Sequence, residues 1–176
     1  MGDDRVKIVV ASHYGAVRRA MRRLGVDGAD LDDVLQEIFL VFTRRMADVA
    51  PQAERNFLLE VGFRVVRTRQ RAHARRREEL DENFDHLAPL GASPSTPEDA
   101  MGQRERIELL DRLLSGMPVE LREVLVLCDV EEATLEEAAT ILHLKVGTVG
   151  SRLSRARELF DKLALRARAA QTNRSR

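Results

Sequence analysis

One short stretch of the sequence places hydroxyl residues and arginines on one side of a predicted helix. The stretch, residues 144–160, reads LKVGTVGSRLSRARELF. At 100° per residue, one face contains Gly147, Ser151, Ser154, Arg155 and Glu158, with Thr148 and Gly150 at its sides. Short side chains allow another surface to approach closely, and Arg155 with its neighbours Arg152 and Arg157 is expected to reach phosphates or the edge of guanine. The predicted contact residues for a nucleic acid are Thr148, Ser151, Arg152, Ser154 and Arg155.

The opposite side of this helix is apolar and is expected to face a core. Its stripe consists of Val146, Val149, Leu153, Ala156, Phe160 and Leu163. A shorter helix precedes it and begins with a predicted capping box, Thr134 with Glu137 three residues later. The tight turn at 143–145 completes a helix-turn-helix, whose second helix enters the major groove of DNA. The alternative is a helical hairpin in another kind of bundle.

Charge is strongly segregated along the chain although the net charge is zero. Residues 64–77, RVVRTRQRAHARRR, contain seven arginines and no acid. Residues 104–144 carry a balance of minus six, and residues 145–176 a balance of plus seven. Two basic blocks on either side of an acidic one indicate two contacts with a polyanion. Two solvated helix faces would give the same pattern.

Apolar spacing before residue 88 predicts three helices. The first runs from about Asp4 to Leu24 and ends at Gly25, and the second runs from an N-cap at Asp30 to about Met46. The third starts near Ala53 and continues into the arginine-rich stretch. The core stripe predicted for the second helix consists of Leu31, Val34, Leu35, Ile38, Val41 and Phe42.

Residues 88–103 contain three of the five prolines and are typical of a flexible linker. Beyond it, Thr96 and Pro97 are predicted to start a helix that ends before SGMP, and another helix runs from Val119 to about Cys128. The fold class is therefore all-α, with two small helical domains joined by the linker.

Nothing in the sequence indicates catalysis, a cofactor or a metal site. Cys128 is the single cysteine, so it excludes an internal disulfide, and a buried, inert thiol is expected there. The histidines have no ligand spacing, and paired acids such as Glu136–Glu137 stand in helix first turns. No stretch has the length and apolarity of a membrane span, so we expect no membrane insertion and a cytoplasmic location.

Two segments resemble a known family. MPVELREVLVLCDVEEATLEEAATILHLKVGTVGSRLSRAR is similar to the fourth conserved region of bacterial sigma factors, and DLDDVLQEIFLVFTRRM to their second region. With the linker and the length, the chain is identified as a member of the extracytoplasmic-function (group IV) sigma factors, over roughly residues 10–166. The resemblance implies core RNA polymerase and promoter DNA as partners, with an anti-sigma regulator, and no enzymatic activity.

The resemblance also implies domain limits. Residues 1–87 would be the region 2-like domain, which docks on core polymerase and opens the −10 element. Residues 88–103 would be the linker, and 104–168 the region 4-like helix-turn-helix domain that reads the −35 element. Residues 169–176 would be a disordered basic tail.

Site residues follow from the same comparison. The polymerase-binding face on the second helix would be Asp33, Gln36, Glu37, Leu40 and Arg44. The −10 contacts would be Phe63, Arg64, Arg67 and Arg71, with Phe63 as a stacking surface and Phe57 in the core. The loop 47–55 corresponds to the base-specificity loop of the family.

Two departures from the family pattern put the DNA preference in doubt. Gly62-Phe63-Arg64 stands where the family commonly has Ala-Arg-Asn, and Gly150 stands where it commonly has a basic residue. Two other functions are compatible with the sequence. One is a helix-turn-helix regulator that acts without polymerase and uses its N-terminal helices for dimerisation or sensing. The other is an adaptor that binds protein and not DNA.

Overall fold

The computed structural model describes residues 2–80 and 99–174, with the side chains of residues 4–72, 102 and 105–169. The chain divides into two compact units. The described part contains seven α-helices and no strand, which confirms the all-α prediction. None of its helices combines the length and the apolarity needed to cross a bilayer.

The first unit is built largely from three helices: α1 (Gly2–Arg23), α2 (Gly28–Arg45) and α3 (Glu54–Leu80). Two short 3-10 turns, Met46–Asp48 and Pro51–Ala53, connect α2 to α3. α2 packs along α3, and α1 reaches α2 through Tyr14, whose ring stacks on Phe39 with 6.1 Å between centroids.

α2 follows its apolar period closely. All members of the predicted stripe are buried except Val41, which is half-buried. The predicted start is wrong, because the helix begins at Gly28 with Asp27 as N-cap, and no side chain caps it. Asp30 instead lies in the first turn, where the helix dipole favours a negative charge.

A close approach between helices holds the first unit together at Gly62 of α3. A Cβ atom there would lie 2.8 Å from both Cε and Sδ of Met21 on α1 and 3.0 Å from Cδ1 of Ile38 on α2. Since real Cβ atoms rarely come so close to other atoms, glycine permits this packing. Met21 and Ile38 are both 0% exposed.

The second unit contains α4 (Asp99–Ser115), α5 (Val119–Leu125), α6 (Leu135–Leu142) and α7 (Val146–Arg174). α5 continues into a π-helical turn, Val126–Val130. α7 is the centre of the unit, because α4, α5 and α6 all pack against it. The core residues with the lowest exposure include Leu114, Val124, Val126, Leu127, Ala138, Val149 and Ala156.

A buried arginine holds the turn between α4 and α5. Nη2 of Arg122 donates to the carbonyl oxygens of Ser115 and Met117, each at 3.0 Å. Burial lowers the pKa of Arg122, and the neighbouring Glu123 opposes that effect. The carbonyls left over at the end of a helix need donors, and this guanidinium supplies them.

Several predicted boundaries change. α4 begins at Asp99, so the predicted linker 88–103 overlaps a helix at its C-terminal end. α7 continues to Arg174, so the predicted disordered tail is helical over residues 169–174, because the helical pattern meets no glycine or proline there. The predicted cap at Thr96 and Pro97, and residues 88–98 of the linker, lie outside the described residues.

Candidate nucleic-acid interface

The helix-turn-helix forms as the sequence predicts. Oγ1 of Thr134 accepts from the backbone N–H of Glu137 at 3.2 Å, and the Thr134 N–H donates to Oε2 of Glu137 at 2.9 Å, which confirms the capping box. α6 ends at His143, which has left-handed backbone angles with φ of 54°. The Leu144 N–H then donates to the Ala139 carbonyl at 2.9 Å, and α7 starts at Val146.

The structure brings the predicted −35 contact residues together on the outer side of α7. Ser151, Ser154 and Arg155 are exposed, and Thr148 and Arg152 are half-buried. The Ser151 hydroxyl donates to the Thr148 carbonyl at 3.0 Å, so its oxygen is left to accept a further bond. On the inner side Val149, Leu153 and Ala156 are buried.

The predicted core stripe of α7 is wrong at its first member. Val146 is 40% exposed, because it is the first residue of the helix and lies beyond the buried part of the stripe. Phe160 and Leu163 are half-buried.

Arg157, which lies next to the predicted face, has a partner inside the unit. Its Nε and Nη2 donate to the two carboxylate oxygens of Asp129, at 2.9 and 2.6 Å. The hydrogen bonds to Asp129 raise the pKa of Arg157. This bidentate pair ties α7 to the π-helical turn, and it distinguishes Arg157 from Arg155, which makes no ion pair within the described residues. Sequence spacing did not reveal the pair.

The face of α2 that was predicted to bind polymerase is open. Its five residues, Asp33, Gln36, Glu37, Leu40 and Arg44, are all exposed, and Leu40 is 44% exposed. Oε2 of Glu37 accepts a hydrogen bond from Nη2 of Arg69 on α3 at 3.2 Å. The face therefore has one apolar side chain within a charged rim, and an ion pair joins its edge to the arginine-rich helix.

The prediction for Phe63 as a stacking surface is wrong. Its side chain is 0% exposed and lies in the core of the first unit. The other three predicted −10 residues are more accessible than Phe63. Arg64 and Arg71 are exposed, and Arg67 is half-buried. Phe57 is half-buried, and its ring meets Phe42 edge-on with 6.2 Å between centroids, which is consistent with the expected core role. The aromatic ring at 63 packs inward because its position on α3 belongs to the buried stripe.

A residue of α1, far away in the sequence, contacts the segment between α2 and α3. Arg5 of α1 contacts the Glu54 carboxylate and the backbone carbonyls of Met46 and Val49. Sequence reasoning missed Arg5, because its partners lie between 41 and 49 residues away and no local pattern marks such a contact.

Cys128 is half-buried in the π-helical turn. Burial raises the pKa of the Cys128 thiol, Asp129 raises it further, and Arg157 acts in the opposite direction. The thiolate is the reactive form, so this environment favours an unreactive thiol. Within the residues whose side chains are described, no group of three or more histidine, cysteine or acidic side chains could hold a metal ion.

The described residues form two helical units, one a helix-turn-helix with an exposed face of hydroxyl residues and arginine, the other containing an arginine-rich helix. A family model for region 4 of sigma-70 matches residues 107–160. The chain is 31% identical over 158 residues to the ECF RNA polymerase sigma factor SigE of Mycolicibacterium smegmatis, covering 89% of this chain and 60% of that protein. It is 30% identical over 143 residues to the ECF RNA polymerase sigma-E factor of Escherichia coli K12, covering 77% of this chain and 74% of that protein.

Two solved structures share the fold. One is CnrH in complex with the cytosolic domain of CnrY, with a TM-score of 0.67, 24% identity and coverage of 92% of this chain and 88% of that one. The other is the sigma factor RpoE in complex with the anti-sigma factor NepR from Bartonella quintana, with a TM-score of 0.72, 18% identity and coverage of 90% and 95%. With the sequence relatives, these findings confirm the resemblance: the chain belongs to the ECF RNA polymerase sigma factors.

Proposed function

We propose that this chain binds core RNA polymerase and directs transcription initiation at specific promoters. The observation that supports it most is the outer face of α7, where exposed Ser151, Ser154 and Arg155 follow a capped helix and a three-residue turn. That is the geometry with which a recognition helix enters the major groove. Because its partner would be the polymerase, we place the chain in the cytoplasm, without catalytic activity of its own.

We propose that the −35 element is read by Thr148, Ser151, Arg152, Ser154 and Arg155. In this assignment Arg155 contacts a base, because it is exposed and has no ion-pair partner among the described residues. A good bidentate contact between arginine and guanine contributes about 1–3 kcal/mol of discrimination.

The test compares Arg155→Ala with Arg157→Ala on the same helix. Both remove one positive charge, but Arg157 is bound to Asp129. We expect Arg155→Ala to reduce discrimination between matched and mutated −35 elements by about tenfold or more, and Arg157→Ala to change it little. Reconstituted holoenzyme and a library randomised at −35 give the measurement. An equal loss on all sequences would make Arg155 a phosphate contact.

We propose that Arg64, Arg67 and Arg71 of α3 contact the backbone of the −10 region. Two of them are exposed, and arginine contacts to phosphate position the DNA without reading its sequence. The reading of −10 bases is assigned to the segment 46–53, which lies at the start of the same helix. Phe63 takes no part, since it is buried.

We propose that the exposed face of α2 docks on core polymerase through Leu40 and its charged rim. An apolar anchor surrounded by polar residues is the usual form of an interface centre. The double variant Asp33→Arg with Glu37→Arg should abolish association with core polymerase in a pull-down. Because Glu37 also pairs with Arg69, Asp33→Arg alone is measured as well, and it leaves that pair intact.

The matched control is Asp4→Arg with Asp32→Arg, which makes the same charge change at exposed acids of the first unit outside the docking set. It should leave association intact. Unchanged association of the Asp33 and Glu37 variants would refute the docking assignment. An anti-sigma regulator is a further proposed partner, since RpoE was solved in complex with the anti-sigma factor NepR.

Binding measurements on the isolated chain distinguish the proposed function from the two alternatives, a regulator that acts without polymerase and an adaptor that binds protein. A regulator that acts without polymerase would bind a specific site tightly as the isolated chain, whereas we expect the isolated chain to bind promoters poorly. An adaptor would bind its protein partner with little dependence on salt. Binding that depends on phosphate contacts weakens steeply as salt rises.

A further inference from the structure

Arg5 of α1 binds the segment that joins α2 to α3 and the first residue of α3. Its Nε donates to Oε1 of Glu54 at 2.8 Å, and its Nη1 donates to the Met46 carbonyl at 3.1 Å. Its Nη2 donates to the Val49 carbonyl. A single guanidinium therefore bonds to two carbonyls of the segment 46–53 and to Glu54, the first residue of α3.

Apart from Arg5, the side-chain contact to the segment is an exposed ion pair, in which Nε of Arg45 donates to Oδ2 of Asp48 at 2.9 Å, and an exposed pair of this kind adds little stability. Among residues 46–53, Val49 is buried at 7% exposure and Met46 is half-buried. The remaining residues are exposed: Ala47, Asp48, Ala50, Pro51, Gln52 and Ala53. Two single 3-10 turns supply its internal hydrogen bonds, and such turns are individually weak.

The hydrogen bonds of Arg5 are charge-assisted, and such bonds are stronger than those between neutral groups. Glu54 is 8% exposed, so its ion pair with Arg5 is partly shielded from water. Hydrogen bonds to charged groups contribute more than neutral ones. The rigid fork of arginine can reach three acceptors at once, which the single ammonium of lysine cannot reproduce.

We propose that Arg5 is a positioning residue that fixes the 46–53 segment and so sets base preference at the −10 element. The proposal rests on the proposed function, in which this segment reads the −10 bases. Arg5 itself does not touch DNA in this account. It acts by holding the backbone at Met46 and Val49, so that the exposed residues between α2 and α3 present one fixed surface.

The test measures base preference with three variants in reconstituted holoenzyme. Arg5→Met removes all three contacts, Arg5→Lys keeps the charge but loses the fork, and Glu54→Gln keeps an acceptor oxygen and both carbonyl bonds. Arg18→Met, at an exposed arginine of the same helix, is the control. Initiation is scored on two promoter libraries, one randomised at −10 and the other at −35.

We expect Arg5→Met to reduce the ratio between the best and worst −10 base by about tenfold, the equivalent of one charged hydrogen bond. Arg5→Lys should be intermediate, and Glu54→Gln and Arg18→Met close to wild type. Preference at −35 should not change. Hydrogen exchange should rise at the amides of 46–53 and stay unchanged in the buried part of α2.

An unchanged −10 preference in Arg5→Met would overturn the proposal, as would faster exchange spread through α2 and α3, which would show a general structural role. If Arg5→Met does not fold, Arg5→Lys tests the proposal through base preference at −10 and hydrogen exchange of the amides of 46–53. Failure of the proposed function is visible separately, because the wild-type chain would then show no promoter preference at all with core polymerase.

Discussion

Gly62 in the first unit and Gly150 in the second both stand where the family pattern has a side chain, yet their surroundings are opposite. A Cβ atom at Gly62 would meet Met21 at 2.8 Å, whereas at Gly150 the nearest atom would be Cδ1 of Leu135 at 3.9 Å. A Cβ atom at 62 would therefore force the ends of the Met21 and Ile38 side chains to shift, whereas a Cβ atom at 150 would make only an ordinary contact. The departure from the family pattern at Gly62 therefore affects packing between the helices of the first unit, and the departure at Gly150 does not.

The same difference extends to the proposed sites. In the first unit the segment proposed to read the −10 bases is tied to another helix, because Arg5 of α1 bonds to the Met46 carbonyl. In the second unit the DNA face lies opposite the buried stripe of α7. Changes to the contacts of that segment should therefore disturb the structure of the first unit, whereas changes to the exposed face of α7 should not disturb the fold of the second.

The largest effect is expected at Gly62. Gly62→Leu places a side chain where a single Cβ is already too close to Met21 and Ile38, and overpacking of this kind costs about 1–3 kcal/mol of folding free energy. Urea unfolding followed by circular dichroism measures the loss. Hydrogen exchange should locate it in α1 to α3.

Met21→Ala supplies the control, because it removes the atoms nearest to position 62. Alone it leaves a cavity and destabilises the first unit, but combined with Gly62→Leu the two losses should not add. Additive losses would mean that the contact between Met21 and Gly62 does not limit the packing, and the contrast between the two glycines would fail.

Next in size is the capping box of α6, the helix that precedes α7. Thr134→Ala removes the acceptor for the Glu137 N–H and should cost about 1 kcal/mol. Thr140→Ala is the control in the same helix, since its hydroxyl only bonds the Glu136 carbonyl four residues earlier. Equal stability of the two variants in thermal unfolding would show that the cap does not contribute to the second unit.

The sequence predicts the second unit better than the first for a physical reason. The capping box, the turn at His143 and the two faces of α7 all depend on residues within four positions of each other, and periodicity is informative at that range. Val146 was misplaced only because the period says nothing about where a helix starts.

In the first unit, several features depend on contacts between helices, which the local sequence pattern does not predict. The stripe of α2 was predicted correctly, but its start at Gly28 was not, because no side-chain cap marks it. Phe63 was assigned by its place in a family motif, whereas its position on α3 belongs to the buried stripe and its side chain is 0% exposed. Arg5 and Glu54, 49 residues apart, share no local signal.

A gain is expected at Gly150, which is half-buried and where a Cβ atom would meet only Leu135 at 3.9 Å. Gly150→Lys improves helix propensity and should stabilise the chain by about 0.7 kcal/mol. It also places a cation beside the proposed DNA face, and one new phosphate contact should increase the slope of log affinity against log salt by about 1. Gly150→Ala should give the stability without the change in slope. Identical slopes for the two variants would remove α7 position 150 from the interface.

The smallest effect concerns Cys128, which is half-buried in the π-helical turn of the second unit. Burial and Asp129 raise the pKa of the thiol, so the folded chain holds the proton more tightly than the unfolded chain. This contribution to stability is fully present below the unfolded pKa and is lost as pH rises through the folded pKa. The unfolding free energy of the wild type should therefore fall more than that of Cys128→Ala as pH passes from neutral to alkaline. Parallel pH profiles, or alkylation of the native thiol as fast as in urea, would show that this side of the second unit is as open as the face around Gly150.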